Sequence, residues 1–205
     1  FSYGGLGMSH HATEDIAIMR ALPGVTVVVP STEWEAEEAT LALSKNKGVG
    51  YLRLDKSKAT IEETGRAFSL GESNMLLNGD DYAVIVAGGI AEEAIDAAYA
   101  LSEYFLSLKV LSMHTVKPID KEAIADLVKY YKGIICIEEG TKLGGLGSAV
   151  SEVIMETQNY PKNFRSIGIN DQYICIVGSQ KFLREESEMT ADFIVKVILE
   201  WESLT

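Results

Sequence analysis

The chain has 205 residues, 47% of them hydrophobic, enough to bury one large α/β core or two smaller ones. Its 18 basic and 30 acidic side chains give a formal charge of -12, so a nucleic-acid backbone would be repelled over most of the surface. No apolar run approaches the roughly 20 residues that a membrane-spanning helix needs, so no membrane partner is expected.

The opening FSYGGLGMSHH reads as the middle of a glycine-rich loop, and residues upstream of Phe1 are therefore expected. Thr13 is the expected N-cap of a first helix running to about Leu22, with Glu14 and Asp15 suiting the exposed N–H groups of its first turn. Pro23 and Gly24 stop it, and the β-branched run Val25 to Val29 predicts a buried strand ending at Pro30. Ser31 or Thr32 then caps a second helix, in which Thr32 and Glu35 form a capping box and Trp34, Ala39, Leu41 and Ala42 supply apolar contacts to about Ser44. Val49 to Asp55 is the next strand.

Residues 56 to 81 turn polar and glycine-containing, with one short apolar alternation from Phe68 to Leu77, and read as a linker containing an extended segment. A second cycle begins with a strand from Tyr82 to Gly89, a helix from Ile90 to Tyr104 and a strand from Lys109 to Thr115. Lys117 and Pro118 introduce a helix capped by Asp120. A strand from Gly133 to Glu139, a glycine loop from Gly144 to Ser148, a helix to Thr157, the strand FRSIGI and an amphipathic helix from Glu188 to Trp201 complete the pattern. The alternation predicts an α/β protein: two three-layer α/β/α units with mostly parallel sheets, the first incomplete. The first unit is expected over 1–65, a linker over 66–80 and the second unit over 81–205. Cys136 and Cys175 sit in the apolar runs IICIEE and YICIVG and are expected as buried reduced thiols, which fits a cytoplasmic protein.

Several residues are candidates for chemistry. The loop at Gly144 lacks the third glycine of a dinucleotide fingerprint and follows two glutamates, so it reads as a tight strand-to-helix turn. Glu138 and Glu139 are strand neighbours and should point to opposite faces rather than act as a couple. His10 and His11 lie between a flexible loop and a helix start, where reactive groups are often placed. Adjacent imidazoles do not readily face one ion and no helix carries a matching His/Glu spacing, so no metal site is expected. Arg53 and Lys56 close a parallel strand, at the end where open α/β sheets bind ligands, and two cations there suit a phosphate.

The segment GGLGMSHHATEDIAIMRALPGVTVVVPSTEWEAEEA resembles the second half of the pyrimidine-binding domain of transketolases, deoxyxylulose phosphate synthases and two-subunit transketolase relatives. YLRLDK looks like the last strand of that domain, and TVKPID, IEEGTKLGGLGSAVSE and IGIND look like the transketolase C-terminal domain. The resemblance implies a transferase part that moves a two-carbon ketol unit between sugar phosphates, and that is inactive alone. It implies thiamine diphosphate and magnesium, held mainly by residues outside this chain: a glutamate before Phe1 and a GDG segment, which this chain lacks. The implied partner is an N-terminal transketolase subunit or a missing N-terminal segment, in a homo- or hetero-oligomer such as a dimer. By the same resemblance His10 takes the catalytic position, while His11, Lys56 and Arg53 face the substrate. Lys56 stands where transketolases usually have arginine, and Leu6 where they commonly have an aspartate that contacts a substrate hydroxyl. The beta subunit of a 2-oxo acid dehydrogenase shares the domain order and is the second reading; a non-catalytic assembly or regulatory module is the third.

Overall fold

The computed structural model describes residues 1–61 and 67–204, so the expected boundary at 65/66 lies outside the described residues. A kinked 3-10 turn covers Gly4–His10 and leads into α1 (Asp15–Ala21). It is followed by β1 (Val25–Val28), α2 (Glu33–Lys45), β2 (Val49–Leu52), β3 (Asn74–Leu77), β4 (Tyr82–Ala87), α3 (Ala91–Ser102), β5 (Leu108–Ser112) and β6 (Thr115–Lys117). The rest is α4 (Lys121–Tyr130), β7 (Ile134–Thr141), α5 (Leu146–Thr157), β8 (Phe164–Ile169), α6 (Gln180–Glu186) and α7 (Ala191–Ser203).

The strands form two sheets, a three-stranded one in the order β2-β1-β6 and a five-stranded one in the order β3-β5-β4-β7-β8. β1 runs parallel to β2, and β4 runs parallel to both β5 and β7, with β8 parallel to β7; only β6 and β3 pair antiparallel among the described strands. The mostly parallel α/β expectation therefore holds. Alternate residues of the central strands feed two cores. Val84, Val86, Ile135 and Ile137 pack with α3 and α7, while Ile85, Ala87, Ile134 and Cys136 pack with α4, α5 and the inner side of β1. Parallel strands covered on both faces read as unbroken apolar runs, which is why β4 and β7 are plain in the sequence.

Two expectations fail for physical reasons, the single strand from Lys109 to Thr115 and the burial of Cys175. The segment expected as one strand from Lys109 to Thr115 is split: β5 stays in the five-stranded sheet, and β6 crosses to the three-stranded sheet, where Thr115 and Lys117 pair with Val28 and Val27. The extended segment expected between Phe68 and Leu77 contains β3, which pairs with β5 from Asn74 opposite Ser112 to Leu77 opposite Val110. Cys175 is exposed, because 171–179 is irregular chain; Cys136 alone is buried, and both thiols are free.

Capping chemistry is mixed. Thr13 does not cap α1; Glu14 occupies that position without a side-chain bond, and the buried Thr13 instead gives its carbonyl to the Thr141 N–H at 2.7 Å. At α2, Thr32 Oγ1 accepts from Glu35 N–H at 3.1 Å as expected, but Glu35 reaches one residue further back and accepts from Ser31 N–H at 2.7 Å. Glu35 is fully buried because it also accepts from Ser112 Oγ at 2.9 Å and Asn74 Nδ2 at 3.1 Å, joining α2 to β5 and β3. Leu41, expected as an apolar contact of α2, faces solvent, whereas Ala39 is fully buried. Among the described residues no helix is long and apolar enough to cross a membrane.

Candidate active site

The parallel pair β1 and β2 ends at one edge, and the chain leaving β2 carries Arg53, Asp55 and Lys56. A cavity of about 210 Å³ opens there, lined by Ser31, Thr32, Leu54, Asp55, Lys56 and Lys58. The glycine loop is tied to this edge. Ser2 Oγ donates to Asp55, and the Lys56 N–H meets Ser2 Oγ at 3.2 Å. Gly7 has φ of +69°, which favours glycine, and a Cβ on Gly4 would collide with the Gly178 carbonyl. The loop sequence thus sets both its kink and its close seat on the 177–178 segment.

His10 and Lys56 converge on one ring. The Lys56 ammonium lies 3.5 Å from the centre of the Tyr3 ring, and the His10 ring lies 6.4 Å from it. Both distances are within the range of favourable ring contacts. His10 is exposed, with Nδ1 2.9 Å from Ser9 Oγ, whose hydroxyl also lies 3.3 Å from the Leu6 carbonyl. Leu6, on the same loop, is also exposed.

The other two expected substrate residues are turned inward. Arg53 pairs with Asp15 at 3.1 Å and donates to the carbonyls of Ala12 at 3.0 Å and Glu139 at 2.8 Å. It stitches the strand end to β7 rather than standing beside Lys56 as a second free cation. His11 packs edge-on against Phe1 at 5.2 Å with both ring nitrogens buried, and desolvation lowers its pKa. His114 is fully buried, stacked 4.2 Å from Phe68, and its pKa is pushed down to about 4 by burial, so it is neutral at physiological pH.

Glu138 and Glu139 diverge as the strand geometry requires. Glu139 faces α6, where Arg184 Nε donates to it at 2.7 Å and Gln180 Nε2 reaches both its oxygens at 3.0 Å. The same Gln180 amide donates to Asp55 at 3.0 Å. Burial alone would raise the Asp55 carboxyl, but hydrogen bonds from Ser2, Gln180 and Ser57 outweigh it and leave the group below its ordinary range. The sequence marks neither Gln180 nor Arg184, since α6 is a short polar stretch without a motif.

Glu138 faces the opposite way and fills the N-terminus of α5, accepting from Leu146 N–H at 2.8 Å and Gly147 N–H at 3.0 Å. The glycine loop is a turn, and its anion cradle already holds a carboxylate of the chain itself. Burial drives the Glu138 pKa up to about 7, against those two hydrogen bonds and the fields of Arg53 and Arg20. The folded state therefore holds a proton that the unfolded chain releases near 4.5. Stability from this group is complete below that value and falls as pH rises through about 7, by roughly 3 kcal/mol at most. Replacing Glu138 with Gln should flatten the decline in the urea midpoint between about pH 5 and 8; an unchanged slope would contradict the assignment.

Among the described residues, none forms a site that fits a diphosphate–magnesium group. The α5 cradle is occupied by Glu138, and the described residues contain no cluster of three or more His, Cys, Asp or Glu side chains suited to a metal ion. A larger groove of about 710 Å³ runs along α5, lined by Ser148, Ser151, Glu152 and Met155 among others, and shares no residue with the Lys56 cavity.

Comparison with known proteins places this geometry. Residues 1–61 match the family described as "Transketolase, pyrimidine binding domain", and residues 71–192 match "Transketolase, C-terminal domain". The chain is 32% identical over 199 residues to an apulose-4-phosphate transketolase subunit of Actinobacillus succinogenes, covering 97% of this chain and 64% of that one. It is 33% identical over 193 residues to the 6-deoxy-6-sulfo-D-fructose transketolase subunit of a Clostridium species, covering 93% of this chain and 58% of that one. A solved structure titled "Split gene transketolase, inactive beta4 tetramer" superposes with a TM-score of 0.83 at 29% identity, covering 96% of this chain and 63% of the other. The chain thus spans less than two thirds of the length of these relatives. On these matches, spread over both of its sheets, the chain belongs to the transketolase family.

Proposed function

We propose that this chain is the C-terminal part of a thiamine-diphosphate-dependent transketolase that transfers a two-carbon ketol unit between sugar phosphates. The observation that carries the reading is the convergence of His10 and Lys56 on Tyr3, beside a cavity at the ends of parallel strands. In this reading Lys56 binds the acceptor phosphate as a point charge, and His10 holds or moves a proton at a sugar oxygen. The diphosphate and magnesium are assigned to an N-terminal subunit or segment, by analogy with the relatives named as subunits.

Two features of the relatives support the division of labour. The apulose-4-phosphate and sulfofructose relatives are named as subunits, and the solved relative is titled an inactive beta4 tetramer. By analogy the present chain assembles with itself or with a partner and is inactive alone. The relatives' names favour ketol transfer over the lipoyl-linked dehydrogenase reading.

The test is a reconstituted enzyme containing this chain, an N-terminal transketolase subunit, thiamine diphosphate and magnesium. Lys56→Ala should raise KM for an aldose phosphate about tenfold or more and leave KM for the matching unphosphorylated aldose unchanged. Equal effects on both acceptors, or no ketol transfer by the fully assembled wild type, would overturn the reading.

A further inference from the structure

The loop that presents Lys56 is held from two sides: Ser2 and the chain after β1 grip it from the first unit, and α6 grips it from the second. Asp55 organises it: one carboxylate oxygen accepts from Lys56 N–H at 2.6 Å and Ser57 N–H at 3.3 Å, and the other accepts from Ser57 Oγ at 2.9 Å. Asp55 is in turn gripped from across the molecule by α6. Gln180 Nε2 donates to it at 3.0 Å, and Arg184 lies 3.8 Å from it while donating to Ser57 Oγ at 2.6 Å. Arg184 is 4% exposed and is anchored in the second unit by Glu139 at 2.7 Å and Glu93 at 3.8 Å. Residues 55–57 follow the three-stranded sheet, whereas Gln180 and Arg184 lie within the segment matched to the C-terminal domain.

We propose that Gln180 and Arg184 are positioning residues for Lys56: the C-terminal unit fixes the backbone at 55–57, and thereby the cation that meets the substrate phosphate. The inference rests on Lys56 binding that phosphate. An exposed lysine has four rotatable bonds, so its ammonium is placed only if its backbone is fixed and its tip is guided. Tyr3 guides the tip at 3.5 Å, and Asp55 fixes the backbone. Asp55 holds that geometry because the Gln180 amide and the charge of Arg184, both from α6, act with Ser2 against its drift into solvent. Gln180 and Arg184 touch no substrate atom in this scheme and act only through Asp55 and Ser57.

Gln180→Leu removes the amide from both Asp55 and Glu139 while leaving the Arg184–Glu139 pair in place, so a loss confined to the 55–57 loop, with the central strands unchanged, separates the Asp55 role from a general effect through Glu139. Amide hydrogen exchange of the chain itself should show protection at Lys56 and Ser57 falling about tenfold, with Val84 and Ile135 in the central strands unchanged. Unchanged protection at Lys56 and Ser57 would overturn the proposal without reference to activity. In the reconstituted enzyme, Gln180→Leu should raise KM for an aldose phosphate several-fold with kcat within about twofold, and add little when combined with Lys56→Ala. Full additivity of the two substitutions would overturn it, because Gln180 would then act elsewhere. If Lys56→Ala leaves KM unaltered, the functional reading fails on its own, and the exchange data alone judge whether α6 holds the loop.

Discussion

Arg184→Met is expected to destabilise the fold by about 3–5 kcal/mol, more than the loss of any surface ion pair in the molecule. The guanidinium is 4% exposed and faces Glu139, Asp55 and Glu93, so its removal takes a shared cation from three carboxylates and leaves an apolar side chain among them. Methionine fills much of the same volume, and the loss therefore reports on charge rather than on a cavity. Urea titrations near neutral pH measure the effect. A loss below about 1 kcal/mol would show that solvent, not Arg184, compensates these carboxylates.

Much of the architecture is legible because it follows from periodicity. Val25 to Val29 and Tyr82 to Gly89 are β-branched or apolar almost without a break, as strands covered on both faces must be, and each is followed by a helix. Asp120 reads as a cap and is one, accepting from Ala123 N–H at 3.0 Å. What escapes the sequence is set by tertiary partners. β3 reads as an extended segment, but its polar flanks and exposed Met75 give no sign that it joins the five-stranded sheet beside β5. β6 follows β5 after only Met113 and His114, with no glycine or proline between them to signal that the chain changes sheets.

The site divides in the same way. His10 and Lys56 are legible through motif resemblance, and the structure brings them to a common neighbour. Arg53 and His11 carry the same residue chemistry close by in the chain, yet are turned inward by Asp15 and Phe1. Spacing does not encode that difference. Arg184 escapes for a further reason: charged residues are ordinarily exposed, and its burial depends on Glu139, Asp55 and Glu93, which lie far from it in sequence.

The second large effect concerns His10, and it bears on the claim that this chain contributes a reacting imidazole to a site completed elsewhere. The ring is exposed, its Nδ1 is engaged by Ser9 at 2.9 Å, and it stands on the same tyrosine as the proposed phosphate cation. A positioned general acid or base contributes roughly 10²- to 10⁴-fold to a rate. The decisive measurement is kcat for ketol transfer by wild type and His10→Ala, each assembled with an N-terminal transketolase subunit, thiamine diphosphate and magnesium. A fall in kcat of that size, with KM for the aldose phosphate little changed, is the predicted result; a variant that turns over as fast as wild type would contradict the account.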